Sequence, residues 1–187
     1  ARQWYSHYCR KFKEKPRPEW LPLLYFASQV YPNWRYFYES ALIHSQLGQL
    51  DAAQNQLDKA FLCLQRQSGK TESWARARCL ILAAQLLEHN QKHQEAIAKL
   101  REAAAQMPFS AKVYYHWAEN LHRRGNTEQA MEKFAQAYLC APEEVTPLYR
   151  MAEIYLKQKN IEAAVTILKF SYAKFPRRRK EILSLPP

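Results

Sequence analysis

The sequence predicts an all-α protein, a right-handed α-solenoid of about five helix-turn-helix hairpins followed by a short C-terminal helix. The main observation is a repeat: Pro108, Pro142 and Pro176 lie 34 residues apart, and the residues between them recur in the same register. A second observation is that no stretch alternates apolar and polar residues with a period of two, so no strands are expected.

The register is carried by small and bulky apolar residues at fixed places in each repeat. The small residues recur in three columns, namely Ala84, Ala118 and Ala152; Ala96, Ala130 and Ala164; and Ala103, Ala137 and Ser171. A bulky column contains Leu100, Phe134 and Leu168. Small residues let two helices approach closely while bulky ones fill the space beside them. The pattern therefore indicates stacked hairpins in which each repeat buries its faces against its neighbours.

Each repeat divides into two amphipathic helices. After Ser110, apolar residues at Val113, Trp117 and Leu121 follow the spacing of one helix face. Gly125 ends this helix, and Thr127 begins a second one. The same pattern predicts the other helices at 34–47, 50–65, 72–89, 93–106, 145–158 and 161–174.

These residues resemble the tetratricopeptide repeat (TPR). The repeat ending at Pro142 contains the family's two motifs in order: Tyr114, Trp117, Ala118 and Leu121, then Ala130, Phe134 and Ala137. The next repeat has Leu148, Met151, Ala152 and Tyr155, then Ala164, Leu168 and Ser171. The resemblance is strong over 77–176, moderate over 33–65 and weak over 1–32, where Trp20 replaces the expected alanine and Pro22 interrupts the pattern. Either the first helix is a divergent cap, or a helix begins only at about Pro22.

We expect one TPR-like domain over 1–187. Its repeats would be about 1–32 (degenerate), 33–65, 77–108, 111–142 and 145–176, with an insertion loop at 66–71 and a C-terminal cap at 177–187. A surface loop accommodates such an insertion at little entropic cost.

The net charge of +11 is concentrated at the two ends of the sequence. Residues 1–20 contain six basic and two acidic residues, and 169–187 contain six and one. Such basic ends suit an acidic partner, an anionic surface or nucleic acid. The alternative is that they only keep exposed termini soluble. Nucleic-acid binding is the weaker hypothesis, because repeat packing accounts for most of the aromatic residues that could stack on bases.

Catalysis, metals and cofactors are not expected. The sequence has no catalytic Ser/His/Asp arrangement, phosphate-binding glycine loop or zinc spacing. His89 and His93 are four residues apart but are separated by a predicted turn. The four cysteines form no paired motif, which favours a reducing, cytoplasmic setting. A disulfide between Cys63 and Cys79, which flank the insertion, stays an alternative. No apolar run approaches the ~18–20 residues of a membrane span.

The resemblance implies that the first helix of each hairpin lines a concave groove that binds a partner peptide. The family's groove positions fall in this chain on Tyr38, Arg78, Gln85, Lys112, Tyr115, Glu119, His122, Tyr149 and Glu153. Tyr38, Tyr115 and Tyr149 are equivalent, and tyrosine offers a large contact area at low entropic cost. We expect these rings not to be needed for packing between repeats. The alternative is that they pack against neighbouring helices.

One TPR subclass grips a C-terminal carboxylate with lysine and asparagine at groove positions that here hold Tyr115, Glu119, Tyr149 and Glu153. That clamp is therefore absent. The leading hypothesis is a non-enzymatic scaffold that binds a protein or peptide ligand in its groove. The alternative is a docking or regulatory domain from a larger enzyme, such as a membrane-embedded one. The sequence begins at Ala1, and its basic residues Arg10, Lys11, Lys13 and Lys15 would in that case adjoin the membrane.

Overall fold

The computed structural model describes residues 17–66 and 73–175, and within these ranges the chain forms helices and turns with no strand. A short 3-10 turn at Pro18–Trp20 precedes the first α-helix. The α-helices are α1 (Leu21–Val30), α2 (Trp34–Gln46), α3 (Leu50–Arg66), α4 (Ser73–His89), α5 (His93–Gln106), α6 (Ala111–Arg123), α7 (Thr127–Cys140), α8 (Thr146–Lys157) and α9 (Ile161–Lys174).

The predicted helix ranges agree with these bounds to within one residue at each end. Helix α1 begins at Leu21 with Pro22 in its first turn, where the missing proline N–H costs no hydrogen bond. A helix therefore begins at about Pro22, as one of the two alternatives requires. The divergent first helix, the insertion loop after Arg66, the C-terminal cap and most of the basic ends lie outside the described residues.

The chain divides into two units, Ala1–Gln106 and Met107–Pro187. In the first unit, α2 pairs with α3 and α4 with α5, while α1 packs on α2 and α3 on α4. In the second unit, α6 pairs with α7 and α8 with α9, and α7 packs on α8. Within each unit, each helix thus contacts the next one along the sequence, as expected for a repeat array.

The small-residue columns lie at the buried contacts between helices. Ala118, Ala130 and Ala137 are fully buried in the hairpin of α6 and α7. Phe134, which lies between two of them in sequence, is also fully buried. In α9 the alanine place is taken by Ser171, whose hydroxyl donates to the Ile167 carbonyl oxygen at 2.9 Å. This back-bond lets a polar residue occupy the column without an unsatisfied group.

The four hairpin turns share one backbone geometry. Each contains a residue with a left-handed φ, namely Gly48 (73°), Gln91 (59°), Gly125 (78°) and Lys159 (61°). The residue after it donates its N–H to a carbonyl five residues earlier, as Asn126 does to Leu121 at 3.0 Å. This is the hydrogen bond of a Schellman turn, whose left-handed position favours glycine. Two of the four hairpins therefore carry backbone strain that the other two avoid.

We predict that Gln91→Gly raises the free energy of unfolding by about 0.5–1 kcal/mol, because it relieves the left-handed strain. The matched change Gly125→Gln should lower it by a similar amount. A Cβ at Gly125 would meet no atom within 4 Å, so the loss would report the backbone alone. Chemical denaturation of both variants measures the effect. Stabilisation by Gly125→Gln would contradict this account of the turns.

Candidate functional site

The predicted groove residues lie on the first helix of each hairpin. Tyr38 lies on α2, Arg78 and Gln85 on α4, Lys112, Tyr115, Glu119 and His122 on α6, and Tyr149 and Glu153 on α8. Helices α2 and α4 belong to the first unit, whereas α6 and α8 belong to the second. Each unit therefore carries its own set of these residues.

In the first unit, Tyr38 is a core residue. Only 5% of it is exposed, and its ring meets the Trp34 ring edge-on with centroids 6.0 Å apart. The Arg78 guanidinium lies over the Tyr38 ring, with its carbon 4.7 Å from the ring centroid. Burial raises the pKa of the Tyr38 hydroxyl, although the hydrogen bond and charge of Arg78 oppose the shift.

The expectation that the tyrosine row is not needed for packing is wrong at two of its three places. Tyr38 belongs to the core cluster that joins α2, α3 and α4. Tyr149 is only 9% exposed and packs with Val145, Leu168 and Phe175. The physical reason is that a large ring on this face gains more by contacting apolar neighbours than by facing water. Tyr115 differs, because it is only half-buried.

Two further residues, Trp74 and Arg35, lie near Tyr38 and Arg78. Trp74, near the start of α4, lies beneath the Arg35 guanidinium, whose carbon is 5.4 Å from the ring centroid. The Arg78 guanidinium carbon lies 6.0 Å from the same ring. Gln85 is half-buried further along α4. Trp74 was not among the predicted site residues.

In the second unit, Arg150 of α8 joins three of the predicted residues. Its Nε lies 2.9 Å from Glu119 Oε1 and donates to the Tyr115 hydroxyl at 3.3 Å. Its Nη1 donates to Glu153 Oε2 at 2.7 Å. These bonds to Tyr115 and Glu153 hold the pKa of Arg150 above its ordinary value. The result is a fixed polar bridge between α6 and α8.

Tyr115 is held by contacts on both its hydroxyl and its ring. Burial raises the pKa of its hydroxyl, and the hydrogen bond from Arg150 counteracts part of that shift. The ring meets Phe134 edge-on at 5.7 Å and His116 at 5.7 Å. Because Tyr115 is fixed on both its ring and its hydroxyl, it would lose little freedom on contacting a ligand.

Beside Tyr115 lies a pocket of about 520 Å³ at the N-terminal ends of α6 and α8. Its lining comes from Ala111, Lys112, Tyr115, His116, Ala141, Glu143, Glu144, Thr146 and Pro147. Lys112, Glu143 and Glu144 are exposed, so charged side chains surround a partly apolar pocket. Its volume is in the range of pockets that hold small ligands or single side chains.

Two histidines of α6 differ in their surroundings. Burial, with Lys112 and Arg123 nearby, lowers the pKa of His116 from 6.5 to about 4, so the ring is neutral near pH 7. His122 has a buried Nδ1 without a hydrogen-bond partner in the part of the chain that the structure describes. His122 lies on the same helix as the bridge, but the structure does not join it to Arg150.

The described residues contain no group of three or more His, Cys, Asp or Glu side chains that could hold a metal ion. His93 Nδ1 instead lies 2.9 Å from Glu88 Oε1. Cys63 and Cys79 are free thiols, so no disulfide joins them. Burial raises the pKa of Cys79 to about 12, which keeps that thiol protonated and unreactive. None of the helices in the described ranges is long and apolar enough to cross a membrane.

Comparison with known protein families identifies the type of repeat. Two tetratricopeptide-repeat models match the chain, one over residues 35–62 and the other over 121–169. This chain contains tetratricopeptide repeats. TPR proteins bind peptide or protein partners and are typically non-catalytic, so this TPR chain is a scaffold for protein–protein interaction. No curated protein matches it significantly by sequence.

Solved TPR structures share its fold. The crystal structure of MamA is 17% identical, with a TM-score of 0.64 over 86% of this chain and 89% of MamA. YrrB, titled a TPR protein with an unusual peptide-binding site, is 15% identical, with a TM-score of 0.58 over 87% of this chain and 79% of YrrB. Cut9–Hcn1, a hetero-tetramer of the APC/C, gives a TM-score of 0.65 at 17% identity, over 87% of this chain and 31% of the matched one. The all-α solenoid class predicted from the sequence is confirmed.

We predict that this TPR chain loses stability as the pH falls from 6.5 towards 4. The unfolded chain binds a proton at His116 near pH 6.5, whereas the folded chain does so only near pH 4. Between these values the unfolded state binds more protons, so the free energy of unfolding falls with falling pH. Denaturation of His116→Gln should show a weaker pH dependence in this window. The control His89→Gln, at an exposed position, should keep that of the parent, and identical curves for parent and His116→Gln would contradict the prediction.

Proposed function

We propose that the chain is a non-enzymatic scaffold that binds a segment of a protein partner on the face formed by α6 and α8. The observation that supports this most strongly is the Arg150 bridge beside the 520 Å³ pocket. A fixed aromatic residue next to a concave pocket is the usual arrangement of an interface anchor.

The bridge gives this face a defined polar pattern. Arg150 is 42% exposed, while Glu119 and Glu153 are 15% and 29% exposed. The guanidinium has two carboxylate partners on the protein, so its charge is more than compensated. A partner would therefore meet an ordered, slightly acidic surface rather than a free cation. This agrees with the sequence argument that a C-terminal carboxylate is not the ligand.

The pocket extends this pattern towards the N-terminal ends of the helices. Ala111, Ala141 and Pro147 supply apolar contacts, while Glu143 and Glu144 supply exposed carboxylates. A partner side chain with an apolar stem and a cationic end, such as lysine or arginine, fits both features. The aromatic ring of Tyr115 adds a surface on which such a stem can pack.

The remaining predicted residues have different roles in this proposal. Glu119 and Glu153 position Arg150, and Tyr149 supports α8 from within the core. Lys112 and His122 flank the face on α6. In the first unit, direct contacts of a partner with Tyr38, Arg78 and Gln85 stay predictions, with the buried ring of Tyr38 the least accessible of them.

We predict that Tyr115→Ala weakens binding of a partner segment by about thirtyfold or more, because truncating a central interface tyrosine typically costs ~2 kcal/mol. Peptides selected from a random displayed library against the parent chain supply the ligands, and isothermal titration measures their affinity. Tyr115→Phe, which keeps the ring but loses the hydroxyl, should cost much less.

The matched control is Tyr172→Ala, which removes a partly exposed tyrosine from α9, the second helix of its hairpin. It should leave the affinity unchanged. Circular dichroism must show parental helix content for each variant. If every selected peptide binds Tyr115→Ala as tightly as the parent, the α6 and α8 face is not the binding surface.

A further inference from the structure

The first unit contains a second surface feature, which we call the arginine–aromatic cluster and which consists of Arg35, Tyr38, Trp74 and Arg78. Both guanidinium groups lie near the Trp74 ring, with the carbon of Arg35 at 5.4 Å and that of Arg78 at 6.0 Å from its centroid. The cluster is continuous, because the Arg78 guanidinium also covers the Tyr38 ring at 4.7 Å. It thus brings two positive charges to one aromatic ring.

Within residues 17–66 and 73–175, neither Arg35 nor Arg78 forms a salt bridge. Other half-exposed arginines of the chain do, as Arg76 does with Glu102 and Arg150 with Glu119. Two positive charges beside the same ring repel each other, and cation–π contacts compensate only part of that cost. An anionic ligand would relieve the repulsion.

The geometry leaves donors available for such a ligand. A guanidinium that stacks on a ring by its face still presents N–H groups along its edge, and these match a carboxylate. The Arg78 side chain is half-buried, and its enclosed Nε has no hydrogen-bond partner among the described residues. Arg35 is exposed, so the cluster is accessible from solvent.

The cluster depends on an extra turn of helix. Gly48 and Gln91 are equivalent turn residues of the two hairpins. Ala77 of α4 lies as far before Gln91 as Trp34, the first residue of α2, lies before Gly48. Helix α4 nevertheless begins at Ser73, one turn earlier. That turn carries Trp74, which lies four residues before Arg78 and thus on the same side of α4.

We propose that the arginine–aromatic cluster binds an acidic segment of a protein partner through aspartate or glutamate carboxylates. The charge of the cluster and its edge donors fit carboxylates. Single-stranded nucleic acid fits less well, because base stacking needs an open ring face, and guanidinium groups already cover Trp74 and Tyr38. The surface belongs to the first unit and shares no residue with the α6 and α8 face.

A hexaglutamate peptide with neutral flanks and a fluorescent label tests the proposal by anisotropy on the full chain. The double variant Arg35→Gln/Arg78→Gln should weaken binding about tenfold, because it removes two charge-assisted contacts. Arg35→Gln alone should weaken it measurably, and it changes only an exposed side chain. The double variant Arg35→Lys/Arg78→Lys should bind less well than the parent although its charge is the same.

The matched control is Lys59→Gln, which removes one exposed positive charge from α3 in the same unit. It should change the affinity by less than about twofold. Tyr115→Ala should leave hexaglutamate binding unchanged, so failure here is distinguishable from failure of the α6 and α8 proposal. Equal binding by the arginine double variant and the parent would overturn the proposal. So would a loss in Lys59→Gln as large as in Arg35→Gln, or cluster-dependent binding of labelled oligothymidylate in place of the peptide.

Discussion

The close approach of paired helices through small residues is the constraint on which the rest of the structure depends. Ala118, Ala130 and Ala137 are fully buried where α6 meets α7, and a larger side chain there would separate the helices or force strained rotamers. Because the described hairpins repeat the same small columns, each of them pairs its two helices through small residues. The close contact fixes which side of the first helix faces its partner and therefore which side faces outward.

On the outward side of α6 and α8, this constraint sets the geometry of the proposed binding face. Since the helices are held in register, Tyr115 and Glu119 on one helix meet Arg150 on the next at hydrogen-bond distance. Forming such a bridge costs desolvation and side-chain entropy. Its hydrogen bonds and charge pairs offset that cost only when their geometry is fixed. Rigid helices supply that geometry. The outcome is an ordered polar face beside a pocket, which is what a scaffold needs to select one segment.

Much of the fold was predictable because it depends on local patterns: the proline interval, the alanine columns and the turn residues. The site was less so, because it depends on contacts between repeats. Tyr38 and Tyr115 share a register position, yet only Tyr38 is enclosed, since Trp34 and Arg78 cover it. Arg150 was missed because two of its partners lie on another helix. The sequence signal for Arg150 was its position three residues before Glu153, because this spacing puts both side chains on one helix face.

If the first helices of the second unit form the partner-binding face, a bound peptide must perturb them more than the rest of the chain. Amide NMR spectra of the full chain, recorded with and without a library-selected peptide, measure this. We expect the largest shift changes in residues 111–123 and 146–157, around Tyr115 and Arg150. Shift changes confined to α7 and α9, with α6 and α8 unaffected, would contradict it.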